Sequence, residues 1–268
     1  MLIFTDLDGT LLDHDTYGWE KAKPALALCR ELRVPVILVS SKTRAEMNVS
    51  RLELNLDSPF ISENGGGIFF PAEGAFKPPP EARFAEGLWR WSLGISYPVL
   101  VAALHDIRDE LGWAIRGFSD MTGDEIAELT GLDPAGAGLA AMREYDEPFI
   151  VSGEVRLDRK RLEEAASRRG VLVTKGGRFY HLHGASDKGE AVDKLARWFQ
   201  ASHGPAKTVA LGDSPNDFTM LERVDYPVLV RSSRQYPELA EKIPFLIKTQ
   251  EKGPAGWNAA VSALLLGE

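Results

Sequence analysis

The amino-acid sequence predicts an α/β protein: a parallel sheet covered on both faces, interrupted by an α+β insertion. In the first sixty residues, short apolar runs alternate with segments of helical period. The runs carry no interleaved polar residues, as expected of strands buried on both faces. The alternation weakens after Pro71 and returns after Asp187. Residues 1–82 and 185–268 are therefore expected to form one domain, with 83–184 inserted into it. A chain of 268 residues accommodates a domain plus an insertion of about 100 residues.

Leu2-Ile3-Phe4 is the first strand. Between residues 20 and 33, Ala22, Leu26, Leu28, Cys29 and Leu32 recur at roughly helical spacing. The run at 34–39 is a second strand ending in Ser40-Ser41, followed by a helix over 42–54 and a short strand over 59–62. Lys-Pro-Pro-Pro at 77–80 forms a stiff, extended spacer. In the insertion, helices are expected near 98–111, 123–130 and 157–169, and strands near 149–152, 171–175 and 178–183, with Trp89 and Trp91 packing inside it. Then follow a helix over 188–199, a strand over 208–211, a helix from about residue 216 and a strand over 227–230.

Composition narrows the function. The net charge is −8 and no run is rich in Lys or Arg, which argues against a nucleic-acid partner. No apolar stretch approaches the roughly 20 residues that cross a bilayer, so no membrane partner is expected. The opening Met-Leu-Ile-Phe-Thr-Asp lacks the features of a signal peptide, so the expected location is cytoplasmic. Cys29 is the only cysteine, which rules out an intrachain disulfide and a Cys-based zinc cluster. Monomer and dimer both remain open.

The first strand runs into Asp6 and Asp8. Carboxylates at i and i+2 of a regular strand share a face, and their repulsion is tolerated at a cation site, where oxygen ligands suit Mg2+. A lone Asp-x-Asp reads equally well as a solvated strand end. Here further groups arrive at strand ends: the Ser40 hydroxyl, Lys188 at a helix start that favours anions, and Asp213 and Asp217 in Gly-Asp-Ser-Pro-Asn-Asp. Together they describe a phosphate site. Asp6 is the candidate nucleophile, forming an aspartyl-phosphate, and Asp8 the general acid/base. Mg2+ would be held by Asp6, the Asp8 carbonyl and Asp213. Ser40, Ser41 and Lys188 would bind the other phosphate oxygens, with Ser214, Asn216 and Asp217 behind the metal and Lys188.

These motifs (Asp-Leu-Asp-Gly-Thr-Leu, the hydroxyl after the second strand, Asp-Lys-Gly and Gly-Asp-Ser-Pro-Asn-Asp) resemble the four motifs of the haloacid dehalogenase superfamily. The insertion is similar to the cap of its Cof-type branch. The resemblance implies a Rossmann-like core with an α+β cap. Residues 36–44, 59–68, 143–149 and 176–181 resemble the mannosyl-3-phosphoglycerate phosphatase family specifically. That implies a small phosphorylated glycoside as substrate, and mannosylglycerate and phosphate as products.

Arg178 could then bind the substrate carboxylate through its planar fork. Asp146 and Glu147 could take sugar hydroxyls, Tyr145 or Tyr180 could lie against the ring, and Lys42, Arg44, Asn64, Gly65, Gly66 and His181 complete the expected substrate set. Each has a structural alternative: Arg178 paired with Glu144 or Asp146, His181 as a structural histidine, 63–66 as a turn, Lys42 and Arg44 as solvated helix-start residues. A glucosyl-3-phosphoglycerate phosphatase, another Cof-type sugar-phosphate phosphatase, a phosphomutase, or a phospho-accepting signalling module are the competing functions. The connections between core and cap are expected at 77–80 and 184–187.

Overall fold

The computed structural model describes residues 1–152, 158–176 and 178–267; Leu157, the start of an expected helix, and Gly177, within the stretch 176–181, lie outside them. The elements run β1 (Leu2–Thr5), α1 (Lys23–Glu31), β2 (Val36–Val39), α2 (Arg44–Glu53), β3 (Phe60–Ser62), β4 (Gly67–Pro71), β5 (Arg83–Ala85) and β6 (Leu88–Ser92). The insertion follows with α3 (Tyr97–Leu111), β7 (Ala114–Gly117), α4 (Gly123–Thr130), α5 (Pro134–Ala140), β8 (Asp146–Ser152), α6 (Arg159–Ser167), β9 (Leu172–Gly176) and β10 (Phe179–His183). The chain then returns through α7 (Lys188–His203), β11 (Thr208–Gly212), α8 (Phe218–Leu221), β12 (Tyr226–Arg231), α9 (Pro237–Lys242), β13 (Ile247–Lys252) and α10 (Gly253–Leu266).

Two sheets result. The larger has the order β13-β12-β11-β1-β2-β3-β4-β6-β5, parallel from β13 to β3 and antiparallel beyond. β1 sits inside its parallel part, between β11 and β2. Its alternate residues feed two cores: Leu2 and Phe4 pack with Ala191 and Leu195 of α7, and Ile3 with Leu26 of α1 and Trp257 of α10. Because β1, β2 and β11 are parallel, their carboxyl ends deliver Asp6, Ser40 and Asp213 to one edge, where open α/β sheets bind ligands.

The smaller sheet, β7-β8-β10-β9, is antiparallel throughout. Phe149 and Leu182 on one face pack against Leu104 of α3 and Leu162 of α6. The opposite face carries Asp146, Pro148 and His181.

Two expectations need correction. β5 and β6, which the boundary at residue 83 assigned to the insertion, are hydrogen-bonded into the larger sheet. Trp89 and Trp91 pack with that domain's core, beside Ile68 and Phe70, so their apolar surface extends the sheet edge. The spacer at 77–80 joins β4 to β5 and its Lys77 carbonyl accepts the Trp198 Nε1–H at 2.8 Å. The chain enters the insertion instead between β6 and α3, and leaves it between β10 and α7.

Candidate active site

A tight turn after β1, closed by Leu12 N–H donating to the Leu7 carbonyl at 2.8 Å, carries Asp6 and Asp8 past the sheet edge. Asp187 caps α7 by accepting the Glu190 N–H at 2.8 Å, which starts that helix at Lys188. Lys188 is fully buried and lies between two carboxylates, donating to Asp6 Oδ1 at 2.6 Å and Asp217 Oδ1 at 2.7 Å. Asp217 Oδ2 in turn accepts the Asp213 and Ser214 N–H groups at 3.0 and 3.1 Å. Asp217 therefore fixes both the Lys188 ammonium and the loop bearing Asp213.

Asp6, Asp213 and Asp217 each offer an oxygen within 4.8 Å of the others. Three carboxylates against one ammonium leave two negative charges in a buried space. Burial pushes Asp6 up to about 8, opposed by Lys188 and reinforced by Asp217 and Asp8. Burial and then Asp217 push Asp213 up to about 6. Burial pulls Lys188 down, but Asp217 and Asp6 reverse that and hold it above the usual lysine range.

Asp8 stands apart from the triad. Its Oδ2 pairs with Lys42 Nζ at 2.7 Å, and its buried Oδ1 has no hydrogen-bond partner among the described residues. Asp8, Ser41 and Lys42 line a cavity of ≈ 170 Å³ whose other wall, from the inserted domain, includes Arg143, Phe179 and His181. Ser40 is buried at the end of β2, its hydroxyl accepting the Lys42 N–H at 3.3 Å.

The expected substrate residues divide. His181 lines the cavity, with Nδ1 at 2.8 Å from Asp146 Oδ2. Asp146 is buried and shared with Arg143 at 3.3 Å, leaving its Oδ1 unpartnered. Glu147 points away, accepting the Ser119 N–H and hydroxyl at 3.0 and 2.6 Å. Tyr180 also points away, stacked on Phe149 at 5.6 Å with Lys175 over its ring. Arg44 is engaged by Glu144 at 2.7 Å and by Glu86. Arg178 is exposed and, among the described residues, makes no ion pair; the partners suggested for it are taken by Arg143, Arg44 and Arg90.

Asn64 accepts from Asn216 Nδ2 at 3.2 Å, and Ser214 Oγ bonds Asn216 Oδ1 at 2.5 Å. Gly65 and Gly66 are packing positions: a Cβ on Gly65 would fall 2.2 Å from the Asp187 carbonyl, and one on Gly66 2.3 Å from the Tyr145 Cβ. Sequence reasoning passed over Arg143, although it opens the stretch 143–149 that carried the resemblance.

The model of the haloacid dehalogenase-like hydrolase family matches residues 3–76 and 158–254. The chain belongs to the haloacid dehalogenase-like hydrolases. This hydrolase is 41% identical to the glucosyl-3-phosphoglycerate/mannosyl-3-phosphoglycerate phosphatase of Methanococcoides burtonii, over 98% of its own length and 97% of the relative's. It is 40% identical to the protein of the same name from Persephonella marina, over 99% and 97%. Its fold matches a protein of Thermoplasma acidophilum with TM-score 0.68 at 17% identity, covering 99% of this chain and 98% of that one. A haloacid dehalogenase-like hydrolase of Bacteroides thetaiotaomicron matches with TM-score 0.67 at 15% identity, covering 98% of both chains. Among the described residues, no helix is long and apolar enough to cross a membrane.

Phosphatases of this family generally use a divalent metal, and the triad fits one: its donors are all carboxylate oxygens, and its excess charge is what a dication would balance. A stability prediction follows for this hydrolase. Folding raises the Asp6 and Asp213 pKa values, so the metal-free folded state keeps protons that the unfolded chain releases near 3.8. Their contribution to stability then falls as pH rises from about 4 to about 8 and is flat above. A metal needs the ionised forms, so the gain in Tm between EDTA and Mg2+ is expected to be larger at pH 8 than at pH 5. Equal gains at both values would contradict Asp6 and Asp213 as metal ligands.

Proposed function

We propose that this hydrolase is a Mg2+-dependent phosphomonoesterase that cleaves mannosyl-3-phosphoglycerate, or its glucosyl counterpart, through an aspartyl-phosphate. The observation that carries the reading is Asp8: a carboxyl two residues from the Lys188-oriented Asp6, with one buried oxygen left unpartnered, in a cavity walled by the inserted domain.

An Asp6 carboxylate oxygen attacks phosphorus as the bond to the glycerate oxygen breaks, and Asp8 gives its proton to that departing oxygen. Asp8 then takes a proton from water, whose oxygen attacks the phosphorus of the aspartyl-phosphate and frees both phosphate and Asp6. Lys188 favours the ionised form of Asp6 against burial and aims its carboxylate. Ser40, Ser41 and the α7 terminus offer donors to the phosphate oxygens. Of the acidic triad, Asp6 and Asp213 would hold Mg2+ together with the Asp8 carbonyl, while Asp217 stays on Lys188 and the Asp213 loop; the ion would supply positive charge to offset the approach of two anions.

The inserted domain supports the glycoside part of the reading. Arg143 lines the cavity, and its guanidinium, held by the Ser41 carbonyl and Asp146, has a planar fork that suits the substrate carboxylate. The His181–Asp146 pair offers a donor and an acceptor for sugar hydroxyls. The two full-length relatives carry glycosyl-3-phosphoglycerate phosphatase names, which agrees. Phosphate release should be compared for mannosyl-3-phosphoglycerate, glucosyl-3-phosphoglycerate, sucrose phosphate and hexose phosphates. Both glycosyl-3-phosphoglycerates are expected to exceed the hexose phosphates in kcat/KM by at least about tenfold. The reverse preference would defeat the substrate assignment and leave a general sugar-phosphate phosphatase.

A further inference from the structure

Glu63 has no part in the chemistry above, yet its placement is unusual. It is 4% exposed. It and Asn64 hold φ of 48° and 53°, a left-handed backbone that is unfavourable for residues with a Cβ. Its carboxylate belongs to the large-sheet domain but is engaged by the inserted one. Glu144 N–H donates to Oε1 and Oε2 at 3.0 and 3.2 Å, and Tyr145 N–H to Oε2 at 2.8 Å.

Those two amides stand at the entrance to β8 and are clamped elsewhere too. The Glu144 carboxylate meets Arg44 at 2.7 Å and Arg90 at 3.3 Å. Tyr145 is buried in the large domain's core, its hydroxyl 2.7 Å from Ser92 Oγ. The inserted domain is thus held to the core at 144–145 in addition to its two chain connections. The residues flanking this peg serve the cavity wall: Arg143 lines it and donates to the Ser41 carbonyl at 3.1 Å, and Asp146, behind the wall, holds the lining His181. Burial pushes the Glu63 carboxyl up to about 7, Arg143 opposing and Asp146 adding to the effect. A space-filling residue would not carry that cost.

We propose that Glu63 is a positioning residue for substrate discrimination: by holding the Glu144 and Tyr145 amides, it sets where Arg143, Asp146 and His181 stand over Asp8. The kinetic consequence rests on the glycosyl-3-phosphoglycerate reading, whereas the structural one does not.

Glu63→Gln keeps the shape but turns one acceptor into an NH2 group facing an N–H. Hydrogen exchange of the 144–145 amides in the ligand-free protein, followed by peptide mass spectrometry, is expected to quicken at least about tenfold. KM for mannosyl-3-phosphoglycerate is expected to rise at least about tenfold with kcat changed less than about threefold. Turnover of p-nitrophenyl phosphate, which lacks the glycosyl and glycerate parts, should stay within about twofold of wild type. Unchanged exchange, or equal losses on both substrates, would overturn the proposal. If the wild type ignores glycosyl-3-phosphoglycerates, that substrate reading fails and the exchange comparison alone decides the role of Glu63. Glu63→Asp, charged but one methylene short, is expected to behave alike and serves if Glu63→Gln does not fold.

Discussion

Asp6→Asn is expected to lower phosphate release by at least about a thousandfold while leaving the fold intact. An amide in place of the carboxylate cannot be esterified by phosphorus and regenerated by water, so the two-step route is lost at its first bond. The fold should tolerate the change because the asparagine Oδ1 can still accept the Lys188 ammonium that now bonds Asp6 Oδ1 at 2.6 Å. The change also removes a carboxyl whose ionisation above about pH 8 adds to the negative charge crowded about one positive group. Without metal, the variant should therefore melt at or above the wild-type temperature, whereas Mg2+ should stabilise it less than it stabilises wild type. Phosphate-release kinetics and melts with EDTA or Mg2+ check both halves. Turnover near the wild-type level would remove Asp6 as nucleophile, and a large fall in Tm would mean that its role is structural.

The large-sheet domain was legible because its buried strands differ from their helices in hydrophobic period, and because its reactive residues sit where strands end. β1, β2, β3 and β11 read directly from apolar runs, and the candidates Asp6, Asp8 and Asp213 followed from their ends, with Lys188 read from the start of α7. The edges were opaque for physical reasons. β13 reads Ile-Lys-Thr-Gln-Glu-Lys and is mostly exposed, so solvent rather than a core sets its pattern. α10 is apolar on most sides, so it shows little helical stripe.

In the inserted domain, Asp146 and Glu147 were both assigned to sugar hydroxyls, but successive residues of a strand face opposite sides. One of them had to point away, and it is Glu147, with Ser119. The same alternation turns Tyr180 to the helix layer and His181 to the cavity. Arg143 is a long-range fact: its role depends on Ser41, 102 residues earlier, and no local period encodes that.

Lys188→Met tests whether the buried charges hold the site together. The Lys188 ammonium is the only cation within the reach of Asp6 and Asp217 among the described residues' ion pairs, and all three groups are buried. Methionine keeps the length and the apolar packing of the stem but withdraws the charge. Breaking a buried pair from one side typically costs about 3–5 kcal/mol, because the partner is left charged in a medium that solvates it poorly. At roughly 2–4 °C per kcal/mol for chains of this size, the metal-free Tm should fall by at least about 6 °C. Activity should fall too, since Asp6 loses the group that favours its ionised form and aims it. Adding Asp217→Asn to Lys188→Met removes the stranded carboxylate, while the asparagine oxygen can still accept the Asp213 and Ser214 amides. The double variant is therefore expected to regain at least about half of the lost Tm while remaining inactive, a non-additivity that only coupled charges produce. If it melts no higher than Lys188→Met alone, the loss comes from packing around the lysine stem, and the buried ion chain is not what organises this edge of the sheet.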